Sequence, residues 1–158
     1  MNIRQATVND VPAIQRLYQE LDEHHAELLP GVFRPLTDDA RPDSIVRDWI
    51  ENTEADYLVA EDDGRIIGFL SIRTAIHPKY PMFRPHDFAD IEDAVVAKKL
   101  RGGGIGTLLF NSAIAWARER GLDHAQVTVW SANKKTREFY CRQGFKPLTE
   151  KLELNLGE

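Results

Sequence analysis

Three consecutive glycines, Gly102, Gly103 and Gly104, with a fourth at Gly106, break any regular element that would run through them. Ordering such a run is entropically costly and it packs no side chains, so a purely structural connection would need fewer glycines. The residues before it, Phe88 to Ala97, have strand character. Those after it, Ile105, Leu108, Leu109, Ala113, Ile114 and Trp116, recur at helical spacing until Gly121. Gln126 to Trp130 is again strand-like. A strand, a helix and a second strand make a right-handed crossover, so the two strands are predicted to run parallel.

The rest of the chain adds elements around this unit. Ile3 to Ala6 reads as a strand, and Thr7 to Asp10 offer capping groups before Pro12, which suits a first helical turn. Ile14, Leu17, Tyr18, Leu21 and Leu28 then mark one helix face up to Pro30-Gly31. An irregular stretch follows to Pro42, after which Asp43 or Ser44 caps a second helix with Ile45, Val46, Trp49 and Ile50 on its apolar stripe. Tyr57 to Ala60 and Ile66 to Ile72 flank Asp63-Gly64, a hairpin signal. His77 to His86 holds three prolines and reads as a loop able to cover a site. Asn133 to Arg142 is predicted as a short helix, and Phe145 onward as a last strand. The expected architecture is an α/β layered fold with a mixed sheet, forming one domain over residues 1–158.

Composition excludes several classes of function. A formal charge of −5, from 20 Lys and Arg against 25 Asp and Glu, repels nucleic acid and accommodates a cationic partner more easily. No apolar run approaches the ~20 residues needed to span a bilayer. One cysteine, Cys141, cannot form an internal disulfide, and the start Met-Asn-Ile-Arg-Gln lacks a signal-peptide core, so a cytoplasmic setting is expected. His24 and His25 are adjacent and lack a metal-binding spacing, so no metal is predicted.

A glycine turn opening a helix presents outward-pointing N–H groups and the positive end of the helix dipole, a combination that binds phosphate. Arg101 adds a cationic donor. The Walker loop is excluded because no lysine follows Gly106, and no G-x-G-x-x-G can be assembled from these glycines. What remains is Arg-x-x-Gly-x-Gly on Arg101, Gly104 and Gly106, and here the chain resembles the GCN5-related N-acetyltransferase (GNAT) superfamily. The strand Ile91 to Val96, the helix Ile105 to Arg120 and the later Asn133, Phe139, Tyr140, Gly144 and Phe145 are similar to that family's order of elements. Together they cover roughly the C-terminal half of the chain.

The resemblance implies a mixed, largely antiparallel sheet flanked by helices, with a splayed parallel pair at its centre. It implies acetyl-coenzyme A as co-substrate, its phosphates on Arg101, Gly102, Gly103, Gly104, Ile105, Gly106 and Thr107. Its pantetheine arm would lie along the backbone of Ala94, Val95 and Val96, with an N–H near Val95 on the thioester oxygen. Asn133 would bind the coenzyme as well. Direct transfer to a primary amine, on a small molecule or on a protein, needs a base and an acid. Glu92 is the candidate base, with Asp93 expected on the opposite face of its strand, and Tyr140 is the candidate acid. His25, Phe33, Tyr80 and Phe83 are candidate substrate contacts, and Asp22, Asp38 and Asp39 add acidity to that wall. A homodimer is a further possibility the resemblance raises. A non-catalytic acyl-coenzyme A sensor is the alternative, because a phosphate turn ensures binding but not turnover.

Overall fold

The computed structural model describes residues 1–158 except 37–40, 78, 79, 85 and 158, and the chain divides into two compact units, Met1–Thr128 and Val129–Glu158. In the first, five strands form one sheet in sequence order: β1 (Asn2–Gln5), β2 (Ala55–Asp62), β3 (Arg65–Ile76), β4 (Asp87–Val96) and β5 (Ala125–Val127). All neighbours are antiparallel except β4 and β5, which run parallel because the connection between them passes through a helix, α3 (Ile105–Glu119). Two further helices, α1 (Val11–Leu28) and α2 (Asp43–Glu51), lie between β1 and β2 in the chain.

Local chemistry explains the boundaries. Asp63 and Gly64 both take positive φ, 47° and 73°, in the two-residue turn between paired Asp62 and Arg65, the backbone a tight hairpin requires. The entry to α1 is fixed by Asp10, whose carboxylate accepts from the Thr7 N–H at 2.7 Å and from both Arg4 terminal nitrogens at 2.8 and 2.9 Å. That guanidinium holds the Asp10 carboxyl below the ordinary carboxylate range.

Adjacent residues of β2 show how the layers divide. Tyr57 turns to α1, where its hydroxyl meets that of Tyr18 at 3.1 Å, whereas the Asp56 carboxylate accepts from Trp116 of α3. On the α1 and α2 side, the cross-strand neighbours Val59, Phe69 and Val95 are buried with Val11, Ile14, Leu17 and Val46. On the other side, α3 buries Ile105, Leu109, Ala113 and Trp116.

The second unit holds α4 (Lys134–Arg142), capped by the Asn133 side chain, which accepts from the Thr136 N–H at 3.3 Å. The strand expected from Phe145 onward does not form: residues 143–157 carry no strand. Pro147 lacks an N–H for a ladder, and this unit contains no strand that could pair with the segment. The strand expected to reach Trp130 likewise ends at Val127.

Gly68 marks where β3 and β4 crowd: a Cβ there would sit 2.9 Å from the Val95 carbonyl oxygen and 3.4 Å from a Leu109 methyl. Gly68→Ala is therefore expected to lower stability by about 1–3 kcal/mol. Urea unfolding checks this as a reduced midpoint at constant slope, and an unchanged midpoint would show that the backbone yields freely at this crossing.

Candidate active site

β4 is paired on both sides only in its first half. β5 meets it at Ala89, Asp90 and Ile91, and from Glu92 to Val96 the side that faced β5 has no strand partner among the described residues. The orientation of the amides there follows from their neighbours. Ala97 N–H donates to Ile67 O at 2.9 Å, on the β3 side, so alternation turns Val95 N–H toward β3 as well and leaves Ala94 and Val96 facing the open edge. The Val95 N–H is thus turned into the sheet, and the N–H groups beside it, those of Ala94 and Val96, face the open edge.

The cause is a bulge. Leu70 pairs with Ala94 and Ile72 with Ile91, so Ser71 alone stands opposite both Glu92 and Asp93, and its hydroxyl accepts the Asp93 N–H at 3.0 Å. Ala89, before the bulge, directs its N–H to His124 O on the β5 side, and the extra residue reverses that parity beyond it. It also overturns the expectation that Asp93 lies on the face opposite Glu92. Both carboxylates face α1 and α2: Glu92 pairs with Arg73 at 2.7 Å, and Asp93 accepts from the Tyr18 hydroxyl at 3.0 Å.

The open edge leads directly into the glycine turn. Gly102 and Gly104 hold φ of 86° and 84°, and a Cβ at either would have no heavy atom within 4 Å, so the concavity is open. Gly104 is the N-cap of α3, and the first helical bond is Leu108 N–H to Gly104 O at 3.1 Å. The N–H groups of Ile105, Gly106 and Thr107 therefore precede the ladder and remain available to an anion. Gly103 lies between the two left-handed glycines in the exposed part of the turn. Ile105 contributes backbone only, since its side chain is buried. Arg101 Nε donates to Val96 O at 2.9 Å, which sets its guanidinium at the junction of strand and turn. These residues fit a pyrophosphate: open glycine backbone, helix dipole and one cation.

Around Asp93 lies a set of groups that helical and strand periodicity assigned to the core. Tyr18 is 4% exposed, its ring 4.7 Å from Phe69 and beneath the Arg41 guanidinium at 4.4 Å. Arg41 in turn donates to Asp22 at 2.6 Å. Burial raises the Asp93 pKa above the ordinary carboxylate range, and burial likewise raises that of Glu92. Burial lowers the pKa of His25, which stacks on Phe33 at 5.0 Å and senses the Asp93 charge. His25 and Phe33 thus come to this wall. The described contacts of Tyr80 and Phe83 are with each other and with His77 at the end of β3, away from this group. Asp38 and Asp39 lie outside the described residues.

In the second unit, Asn133 serves as the cap of α4, and Tyr140 is 5% exposed with its ring edge-on to Phe139 and Phe145 at 5.2 and 5.4 Å. Among the described residues, no group of three or more His, Cys, Asp or Glu is placed to hold a metal, and no helix is long and apolar enough to cross a membrane.

The half-buried Asp93 carboxylate has a measurable consequence for stability. A pKa higher in the folded chain than in the unfolded one means that the folded state holds the proton more tightly, so stability falls as pH rises from about 4 through the raised folded value. Asp93→Asn is expected to remove this loss, gaining stability relative to the parent as pH rises through that window. Parallel stability curves for the two proteins from pH 4 to 8 would contradict it.

Comparison with known proteins adds the family. The sequence pattern of the acetyltransferase (GNAT) family matches residues 14–145. The uncharacterized N-acetyltransferase YhfO of Bacillus subtilis is 27% identical over 146 residues, covering 92% of this chain and 90% of that protein. A variant of the BH1408 protein of Bacillus halodurans, 27% identical, superposes with a TM-score of 0.92 over 99% of this chain and 100% of that one. The aminoglycoside N-acetyltransferase AAC(6')-Iy, solved in complex with CoA, shares the fold at 16% identity and a TM-score of 0.73, covering 98% of this chain and 93% of that one. With its splayed β4 edge and glycine turn, the chain belongs to the acetyltransferase (GNAT) family.

Proposed function

We propose that this N-acetyltransferase draws its acetyl group from acetyl-coenzyme A and delivers it directly to a primary amine, with Asp93 rather than Glu92 receiving the amine proton. The observation that supports this reading is the run of unpaired β4 backbone ending at an open glycine turn on a helix N-terminus. When bound, acetyl-coenzyme A supplies a thioester whose carbonyl accepts the amine and whose thiolate departs. The N–H groups of Ile105, Gly106 and Thr107, with Arg101, hold the diphosphate. The amides of Ala94 and Val96 would hold the pantetheine chain as an added strand does and would supply a donor for the negative charge that grows on the thioester oxygen.

An alkylamine is mostly protonated near neutral pH and cannot attack until a base accepts its proton. Asp93 suits that task better than Glu92 for two reasons. Glu92 is tied to Arg73, which stabilises its charged form and competes with proton uptake. Asp93 forms no ion pair among the described residues, and burial raises its pKa, opposed by the Tyr18 hydroxyl and by the more distant Arg41 and His25. Tyr18 positions the Asp93 carboxylate through its hydroxyl, itself linked to that of Tyr57. Tyr140, from its place in the Asn133 to Phe145 motif, is the acid for the departing thiolate.

Calorimetric titration with acetyl-coenzyme A tests the binding half. Binding that is lost in the folded double variant Arg101→Ala, Gly104→Asp locates the phosphates at the turn, while no binding to the parent protein would remove the reading altogether. Kinetics test the chemical half. Asp93→Asn should lower kcat by about 10²–10⁴ and abolish the acid limb of kcat/KM, whereas Glu92→Gln should cost less than about tenfold. The sign follows from the chemistry: the base works ionised, so activity rises with pH through the raised Asp93 value. In the same assay Tyr140→Phe should reduce turnover with coenzyme affinity kept, and an unchanged rate would take Tyr140 out of the reaction.

A further inference from the structure

The charges around Asp93 point to the class of amine. Arg41 and Arg73 stand among the acids of this wall, and each is already matched. Arg41 donates to Asp22 at 2.6 Å and lies over the Tyr18 ring, and Arg73 meets Asp90 at 3.2 Å and Glu92 at 2.7 Å. Asp22 is only 12% exposed at its side chain, so its pairing with Arg41 is shielded from solvent. Asp93 differs: its carboxylate receives the Tyr18 hydroxyl and forms no ion pair among the described residues, although Arg41 and His25 lie close enough to favour its charge. A half-buried carboxylate with no ion-pair partner is incompletely compensated for lost hydration, and a bound ammonium group offsets that loss.

We infer that the acceptor is a cationic amine bearing no carboxylate or phosphate, whose ammonium group is the ion-pair partner that Asp93 otherwise lacks. This rests on the acetyl-transfer reading above and narrows it. An amino acid presenting its amine to Asp93 would bring a carboxylate beside Asp22, Asp90 and Glu92, where both arginines are spent, and like charges at close range are repelled. Partly buried Phe33, His25 and Trp49 offer apolar surface to the rest of the molecule.

The experiment uses matched pairs that differ by one carboxylate: tyramine against tyrosine, agmatine against arginine, and cadaverine against lysine. Each is assayed by thiol release from acetyl-coenzyme A with the whole protein. The expected result is a kcat/KM at least tenfold higher for the decarboxylated member of every pair that reacts. Asp22→Asn, which frees Arg41 to meet a carboxylate, should narrow that ratio by raising the amino-acid rate. Equal rates, or preference for the amino acids, would overturn the inference while leaving acetyl transfer intact, and so would a ratio untouched by Asp22→Asn. No reaction with any amine, by a protein that still binds acetyl-coenzyme A, would instead overturn the transfer reading and this inference with it.

Discussion

Ser71 of β3 faces two residues of β4 instead of one, and the Asp93 N–H donates to its hydroxyl at 3.0 Å. Much of the site depends on that extra residue. A strand alternates both its side chains and its amides with a period of two, so one insertion reverses both beyond the point where it occurs. The reversal keeps Glu92 and Asp93 on the α1 face together and turns the N–H groups of Ala94 and Val96 to the edge that β5 leaves open. Side-chain chemistry and backbone recognition are therefore set by one local irregularity.

The second dependence is on the splay. β5 pairs with β4 through only three residues, while β4 continues to Val96 and into the glycine turn. An unpaired strand edge inside a sheet exposes donors and acceptors that need partners. Here they lie next to a helix N-terminus whose first N–H groups precede the helical ladder, so a ligand with an amide-bearing arm and a phosphate head would satisfy both at once.

The wall facing Asp93 shows how a core becomes a site. Tyr18 and Tyr57 occupy ordinary buried positions and pack on Phe69, yet their hydroxyls meet at 3.1 Å and one reaches Asp93. A buried tyrosine needs a partner for its hydroxyl, and here that need brings a carboxylate into the layer between helix and sheet. The arginines are drawn in by the same logic, each fixed by acids and set over an aromatic ring.

Local sequence was enough for most of the elements and for the glycine turn between β4 and α3. Asp63-Gly64 specified a hairpin, the apolar spacing of Ile14 to Leu21 a helix, and Arg101 to Thr107 a strand-to-helix turn, because each depends on local backbone preference or on a period written in neighbouring residues. Tertiary structure decided what a period cannot encode. Nothing in Ile91-Glu92-Asp93-Ala94 announces an insertion, since a bulge exists only relative to the strand it faces. The same holds for Tyr18 and Tyr57, read as core because helical and strand spacing report burial but not what a hydroxyl meets there. It holds too for the segment after Phe145, whose alternation of leucines suits a strand but whose own unit offers no partner to make it one.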